Sequence, residues 1–243
     1  MPEHTSSTAT SRADKTPATI LFGPTGTGKT PLGRILECRG LQGRHWRHLD
    51  FGEELRQAAR GLDSPALFTT DERSTLSRIL QDHRLLRDDE LWIAERILKA
   101  FTHGGRSSSG ETKVGVVLNG LPRNIRQAEL VEWWFEPCLI VELTADADTI
   151  LERLRTNRGG DRGDRTDDAP DAVRKKLDWY RRETEPLLAC YRRAGCKAVP
   201  IPISPDTTPE ETYAELVSRL AVACDSTGQE SAFQQRRGGE PRS

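Results

Sequence analysis

Short apolar runs alternate along the chain with stretches in which apolar residues recur every three or four positions. Ala18-Thr19-Ile20-Leu21-Phe22, Val114-Gly115-Val116-Val117-Leu118 and Leu139-Ile140-Val141-Glu142-Leu143 read as buried strands. Ala198 to Ile203 is a weaker fourth, and His45 to Leu49 is a candidate fifth. The helical spacing shows, for example, at Leu91, Ala94, Ile97 or Leu98, and Phe101. Another helical pattern runs from about Pro170 to Arg193, with Val173, Leu177, Tyr180, Leu187 or Leu188, and Tyr191 on one side; Pro186 predicts a kink or a break within it. Such alternation predicts an α/β fold, a doubly wound parallel sheet of about five strands covered by helices on both faces. Residues 1–16 are polar and unpatterned, and residues 225–243 are rich in Gln, Arg, Gly and Ser. Both predict disordered tails flanking a domain of residues 17–224.

Composition narrows the function classes. The 243 residues are 35 % apolar and 30 % charged, and Lys+Arg 36 against Asp+Glu 37 leaves a net charge of −1. That balance argues against binding nucleic acid through bulk basicity. No run of 18 apolar residues exists, so no membrane partner is expected. Residues 1–16 lack the apolar stretch of a secretory signal. The five cysteines (Cys38, Cys138, Cys190, Cys196, Cys224) form no CxxC pair. Reduced thiols in a cytoplasmic, monomeric protein are the expectation, with neither a disulfide frame nor a zinc site.

The most specific chemistry lies in Gly23-Pro24-Thr25-Gly26-Thr27-Gly28-Lys29-Thr30, which fits G-x-x-x-x-G-K-[ST] between a predicted strand and a predicted helix. Glycines let backbone N–H groups converge on phosphate oxygens, and the helix N-terminus adds positive potential. Lys29 is placed to reach the β- and γ-phosphates of ATP, and the Thr30 hydroxyl to ligate Mg²⁺. The motif predicts nucleotide binding without naming the reaction.

A second cluster, Asn119-Gly120-Leu121-Pro122-Arg123, ends the strand at Val114 to Leu118, with Gln127-Ala128 a helical turn later. Here the chain resembles the adenylate kinase family of nucleoside monophosphate kinases, whose corresponding strand ends in Asp-Gly-Phe-Pro-Arg. Gly52-Glu53-Glu54-Leu55-Arg56 is similar to its Gly-Asp-x-Leu-Arg, Glu152-Arg153-Leu154 to the entry into its lid, Arg165-Thr166-Asp167-Asp168 with Lys176 to the lid's exit, and Thr184-Glu185-Pro186-Leu187 to its last long helix. The likeness spans about residues 18–222.

The resemblance implies a helical monophosphate-binding insertion at about 50–87 and a short lid at about 157–168. It implies that Phe51, Gly52, Arg56, Gly120, Arg123 and Gln127 surround the acceptor nucleotide, Gln127 against a purine edge. Arg153, Arg165 and Lys176 would close over the triphosphate and the transferring group, with Arg165 and Lys176 also touching the acceptor. Arg153 and Arg162 would serve ATP, although Arg158 and Arg162 compete for the lid's second arginine. Asn119, through water, and Thr30 would hold Mg²⁺. Lys29, Arg123, Arg153, Arg165 and Lys176 would be catalytic, because gathering two sets of phosphate oxygens calls for positioned cations.

Several residues depart from the family pattern. Asn119 stands where an aspartate is usual, Phe51 where a small hydroxyl residue is usual, Lys176 in place of an arginine and Pro31 in place of a threonine. Ile203-Ser204-Pro205-Asp206 lacks a glycine near the donor base. The expected reaction is reversible transfer of the γ-phosphoryl group of Mg·ATP to a nucleoside monophosphate, AMP first. Two rivals remain: a P-loop kinase of a small hydroxylated metabolite, which would need a carboxylate base that Asn119 does not supply, and a nucleotide-binding switch without kinase activity.

Overall fold

The computed structural model describes residues 15–63, 66–104, 114–160 and 170–236. Strands β1 (Thr16–Phe22), β2 (Trp46–Asp50), β3 (Gly115–Asn119), β4 (Phe135–Thr144) and β5 (Lys197–Pro202) form one sheet in the order β2-β3-β1-β4-β5. Every neighbouring pair is parallel. All five lie where the apolar runs predict them, the candidate at His45 to Leu49 included.

Parallel strands need crossovers, and the crossovers bury both faces of the sheet. Ala18, Ile20 and Phe22 of β1 enter one core with Ile93, Ile97 and Tyr191. Leu21, pointing the other way, joins Leu32, Leu36, Leu216 and Leu220. The helices are α1 (Lys29–Arg39), α2 (Phe51–Ala59), α3 (Thr70–Gln81), α4 (Leu91–His103), α5 (Ile125–Trp134), α6 (Ala147–Thr156), α7 (Pro170–Trp179), α8 (Glu185–Arg193) and α9 (Pro209–Arg236), the first eight between strands and α9 after the last. Three of them, α2 to α4, lie between β2 and β3, and the insertion expected at about 50–87 takes in α2 and α3. Local capping sets its entry points. The Asp50 side chain accepts from the Glu53 N–H at the start of α2. Thr69 and Glu72 form a reciprocal capping box on α3.

First, the break expected at Pro186 in the helical stretch from Pro170 to Arg193 is present, as a five-residue π turn at Tyr180–Thr184 just ahead of the proline. Pro186 has no N–H to offer the carbonyl four residues back, so the ladder widens ahead of it, and the Glu185 N–H reaches the Tyr180 carbonyl instead. Second, the backbone of α9 stays helical to Arg236, past residue 224 where the polar composition predicts a tail. Residues 1–14 and 237–243, the remainder of the expected tails, lie outside the described residues. Among the described residues Cys38, Cys138, Cys190 and Cys196 form no disulfide, and no helix is long and apolar enough to cross a membrane.

Candidate active site

The sequence brings its chemistry to the C-terminal ends of three adjacent strands, the usual place for a ligand on such a sheet. Gly23 follows β1, Asp50 ends β2 and Asn119 ends β3. All three line one pocket, together with Lys29, Thr30, Arg56, Gly120, Arg123, Gln127, Arg153 and Lys176.

The phosphate loop has the backbone that its glycines predict. Gly23 adopts φ +144°, and a Cβ there would meet the Leu143 carbonyl oxygen at 2.6 Å and Thr27 Oγ1 at 2.9 Å. Gly28 precedes α1 with a left-handed φ of 94°. Pro31 falls in the first turn of α1, where its missing N–H removes no helical bond. Lys29 Nζ donates to the Gly23 and Pro24 carbonyls at 2.7 and 2.6 Å, curled back over its own loop. Thr27, expected among the ATP-binding residues, is fully buried and its hydroxyl donates to the Pro24 carbonyl, so it stiffens the loop. Only its backbone is left to serve a phosphate.

At the floor of the pocket, Thr30 Oγ1 donates to Asp50 Oδ2. Asn119 Nδ2 donates to Thr30 Oγ1 at 2.9 Å and to Asp50 Oδ2 at 2.8 Å. A hydroxyl, a carboxylate and an amide are hard, oxygen-rich donors of the kind that suit Mg²⁺, directly or through water. The residues present therefore fit a Mg²⁺ carried by the donor nucleotide. Asp50 is the residue that sequence reasoning missed. Its signal was positional: a carboxylate closing a parallel strand on the same side of the sheet as the phosphate loop.

On the other side of the pocket, Arg56 pairs with Glu53 at 2.8 Å. Burial alone would push the Glu53 carboxyl up, yet the Arg56 hydrogen bonds and charge hold it below the usual carboxylate range. Arg123 is fixed from several directions. Its Nε donates to the Gly120 carbonyl at 2.9 Å, its N–H to Gln127 Oε1 at 2.8 Å, and its carbonyl accepts from Thr184 Oγ1 at 2.9 Å. Gly120, at φ +83°, lets this turn approach α2; a Cβ there would lie 3.3 Å from Arg123 Nη2 and 3.7 Å from the Gly52 nitrogen. Phe51, only 4 % exposed, lines the pocket from within the core. Apolar side chains of Leu55, Ile79 and Leu86 continue that wall. Arg84 also lines it, and is doubly bonded to Glu90 at 2.6 Å on each arm.

Two arginines near the expected lid are bonded to loop carbonyls. Arg153 is 2 % exposed, and its Nε donates to the Gly26 carbonyl while Nη1 donates to those of Ser204 and Thr207. It ties the phosphate loop to the loop after β5. Arg158 donates to the Asp206 carbonyl in that same loop and does not line the pocket. Arg162 and Arg165 lie outside the described residues, as do 161–168 of the expected lid. Lys176, on α7, lines the pocket beside Trp179 and Tyr180, and burial pushes the Tyr180 hydroxyl's pKa up, keeping it protonated.

A phosphate loop at one end of a parallel sheet, opened on a second half lined with cations, defines a P-loop kinase. The comparisons then narrow the class. The chain is 31 % identical over 186 residues to an adenylate kinase of Parvibaculum lavamentivorans, covering 72 % of this chain and 80 % of the relative. It is 28 % identical over 206 residues to adenylate kinase 1 of a Nostoc species, covering 83 % and 97 %. The chain belongs to the adenylate kinase family. No family model matches it. A solved gluconokinase from Sinorhizobium meliloti aligns over 88 % of this chain and 97 % of its own, with a TM-score of 0.49 and 16 % identity.

Proposed function

We propose that the protein transfers the γ-phosphoryl group of Mg·ATP reversibly to a nucleoside monophosphate, with AMP the first choice. The observation that supports this reading is the meeting of Arg56, Arg123 and Lys176 with Lys29 and Thr30 in one pocket. Cations on both sides of the transfer point suit an acceptor that is itself a phosphate. Such an acceptor oxygen is already anionic, so no base has to remove a proton, and catalysis reduces to positioning and charge stabilisation.

On this reading Lys29 leaves the Gly23 and Pro24 carbonyls for phosphate oxygens when ATP enters. Arg56 and Arg123 present guanidinium forks to the acceptor phosphate, and Lys176 adds a point charge. Arg162 and Arg165 would complete the cation set from the lid. Mg²⁺ bound at Thr30, with Asn119 and Asp50 behind it, would neutralise charge on the donor phosphates. Arg153 would hold the donor-side loops in register. The apolar wall of Phe51, Leu55 and Leu86 would receive the acceptor base, with Gln127 at its edge.

Transfer to a small hydroxylated metabolite is the second reading, because Asp50 puts a carboxylate in the pocket after all. Its bonds to Thr30 and Asn119 keep it on the donor side, which favours the first reading. A screen of ATP against all common ribo- and deoxyribonucleoside monophosphates, with sugars and sugar acids alongside, separates the two. The expected outcome is diphosphate formed fastest with AMP. No product with any monophosphate would overturn the proposal.

A further inference from the structure

Resting on that reading, we infer that Asp50 is the residue whose carboxylate orients the waters of the donor-side Mg²⁺, a charge that the family pattern places at position 119. Position 119 at the end of β3 carries an amide, and the acid stands at the end of β2, paired in register with it.

Three observations carry this. Asn119 Nδ2 lies 2.8 Å from Asp50 Oδ2, so an acid at 119 would set two carboxylates against each other. The amide is the partner that a charged Asp50 requires. The hydrogen-bond account of Thr30 fits as well. Its single proton goes to Asp50, one of its two lone pairs accepts from Asn119, and the second remains for a metal. Finally, the site is rigid. Asn119 is 4 % exposed, and Asp50 Oδ1 caps α2 by accepting from the Glu53 N–H at 3.1 Å, so the carboxylate is held at both oxygens. Mg²⁺ keeps several of its waters in protein sites, and anionic groups behind those waters set their orientation.

Asp50→Asn tests the idea, because asparagine also caps helices and the change removes charge with little change in shape. Binding of Mn²⁺, a spectroscopic stand-in, is read by electron paramagnetic resonance on the protein with bound ATP. ATP binding with the metal chelated is measured beside it. Asp50→Asn should weaken Mn²⁺ by roughly 10–100-fold, the range seen when a partner behind a metal ligand is lost. Metal-free ATP should bind as well as before or better, since a negative charge has left the phosphate site. The double variant Asp50→Asn/Asn119→Asp, which returns the acid to β3, should recover most of the Mn²⁺ affinity. Unchanged Mn²⁺ affinity in Asp50→Asn would overturn the inference, and so would an equal loss of metal-free ATP binding, which would mark a structural role. Unchanged Mn²⁺ affinity with lost transfer to a hydroxyl acceptor would instead make Asp50 a base. None of the titrations involves an acceptor. A chain that holds Mn²⁺ through Asp50 but phosphorylates no monophosphate therefore fails the proposed function alone.

Discussion

Lys29 is bonded to two carbonyls of its own loop, which take two of the three protons of its ammonium group and hold it over the glycine turn. On the proposed reading that group meets the donor phosphates. Lys29→Ala should therefore lower kcat by on the order of 10³-fold, the scale for losing one group that stabilises developing charge, while the thermal midpoint moves little. Turnover by a folded variant within tenfold of the wild type would remove Lys29 from the chemistry. At this scale the sequence was readable wherever residue type and spacing are jointly restrictive. Gly23, Gly28, Lys29, Thr30, Gly120 and Arg123 all meet in one pocket or its loops, because backbone conformation and phosphate charge leave few alternatives there. Asp50 was not readable, because a lone acid after a strand has no spacing to mark it. Arg153 was readable as a cation near the phosphates, but not as a brace. Its bonds run to carbonyls more than fifty residues away in each direction, at Gly26 and at Ser204 and Thr207.

Leu55 of α2, Ile79 of α3 and Leu86 after α3 carry the apolar wall of the pocket, and the pair Arg84–Glu90 fixes the segment that follows α3. Both Glu90 oxygens accept from Arg84 at 2.6 Å, and Oε2 also accepts from the Arg87 N–H at 2.9 Å. Arg84's hydrogen bonds hold the Glu90 carboxyl below the usual carboxylate range, against the opposing effect of burial. A carboxylate with a depressed folded-state pKa stabilises the fold at pH values above its unfolded pKa, about 4.3, and loses that contribution as pH falls through the folded value. Glu90→Gln should accordingly cost about 1–3 kcal/mol at pH 7, the range for hydrogen bonds to charged groups and for leaving one partly unpaired. The gap from wild type should stay level from pH 8 to about 5 and narrow in more acid solution. Urea unfolding at pH 7 and at lower pH checks both parts; a gap that widens with acid would show that Glu90 is not the group being titrated. The elements themselves were legible from apolar periodicity, down to the weak strand at His45 to Leu49. The π turn at Tyr180–Thr184 was not, because periodicity marks only that Pro186 disturbs a helix, and packing of Thr184 against the Arg123 carbonyl decides where the disturbance falls.

At the scale of the whole molecule the sheet separates two jobs. On the proposed reading the phosphate loop after β1, α6 with Arg153, and the loop after β5 form the donor side, joined by the carbonyl bonds of Arg153. On the same reading α2, the turn from Gly120 to Arg123 and the segment from Ile79 to Leu86 form the acceptor side. Thr30, Asp50 and Asn119, bonded to one another, lie on the donor side where the two meet. A ligand that engages one half should quiet local opening there first, since backbone opening is governed by regional stability. Amide hydrogen exchange with each nucleotide alone follows from this layout. A non-hydrolysable ATP analogue with Mg²⁺ should slow exchange in residues 23–30 and in the loop 203–207, which Arg153 couples to the phosphate loop. AMP alone should slow exchange in residues 51–60, 79–86 and 120–127. Both together should protect each region at least as strongly as either does alone, because a phosphate on each side shares the cations between them. Protection of residues 23–30 by AMP alone, with residues 79–86 unchanged, would place the monophosphate in the donor half and overturn the division of the pocket.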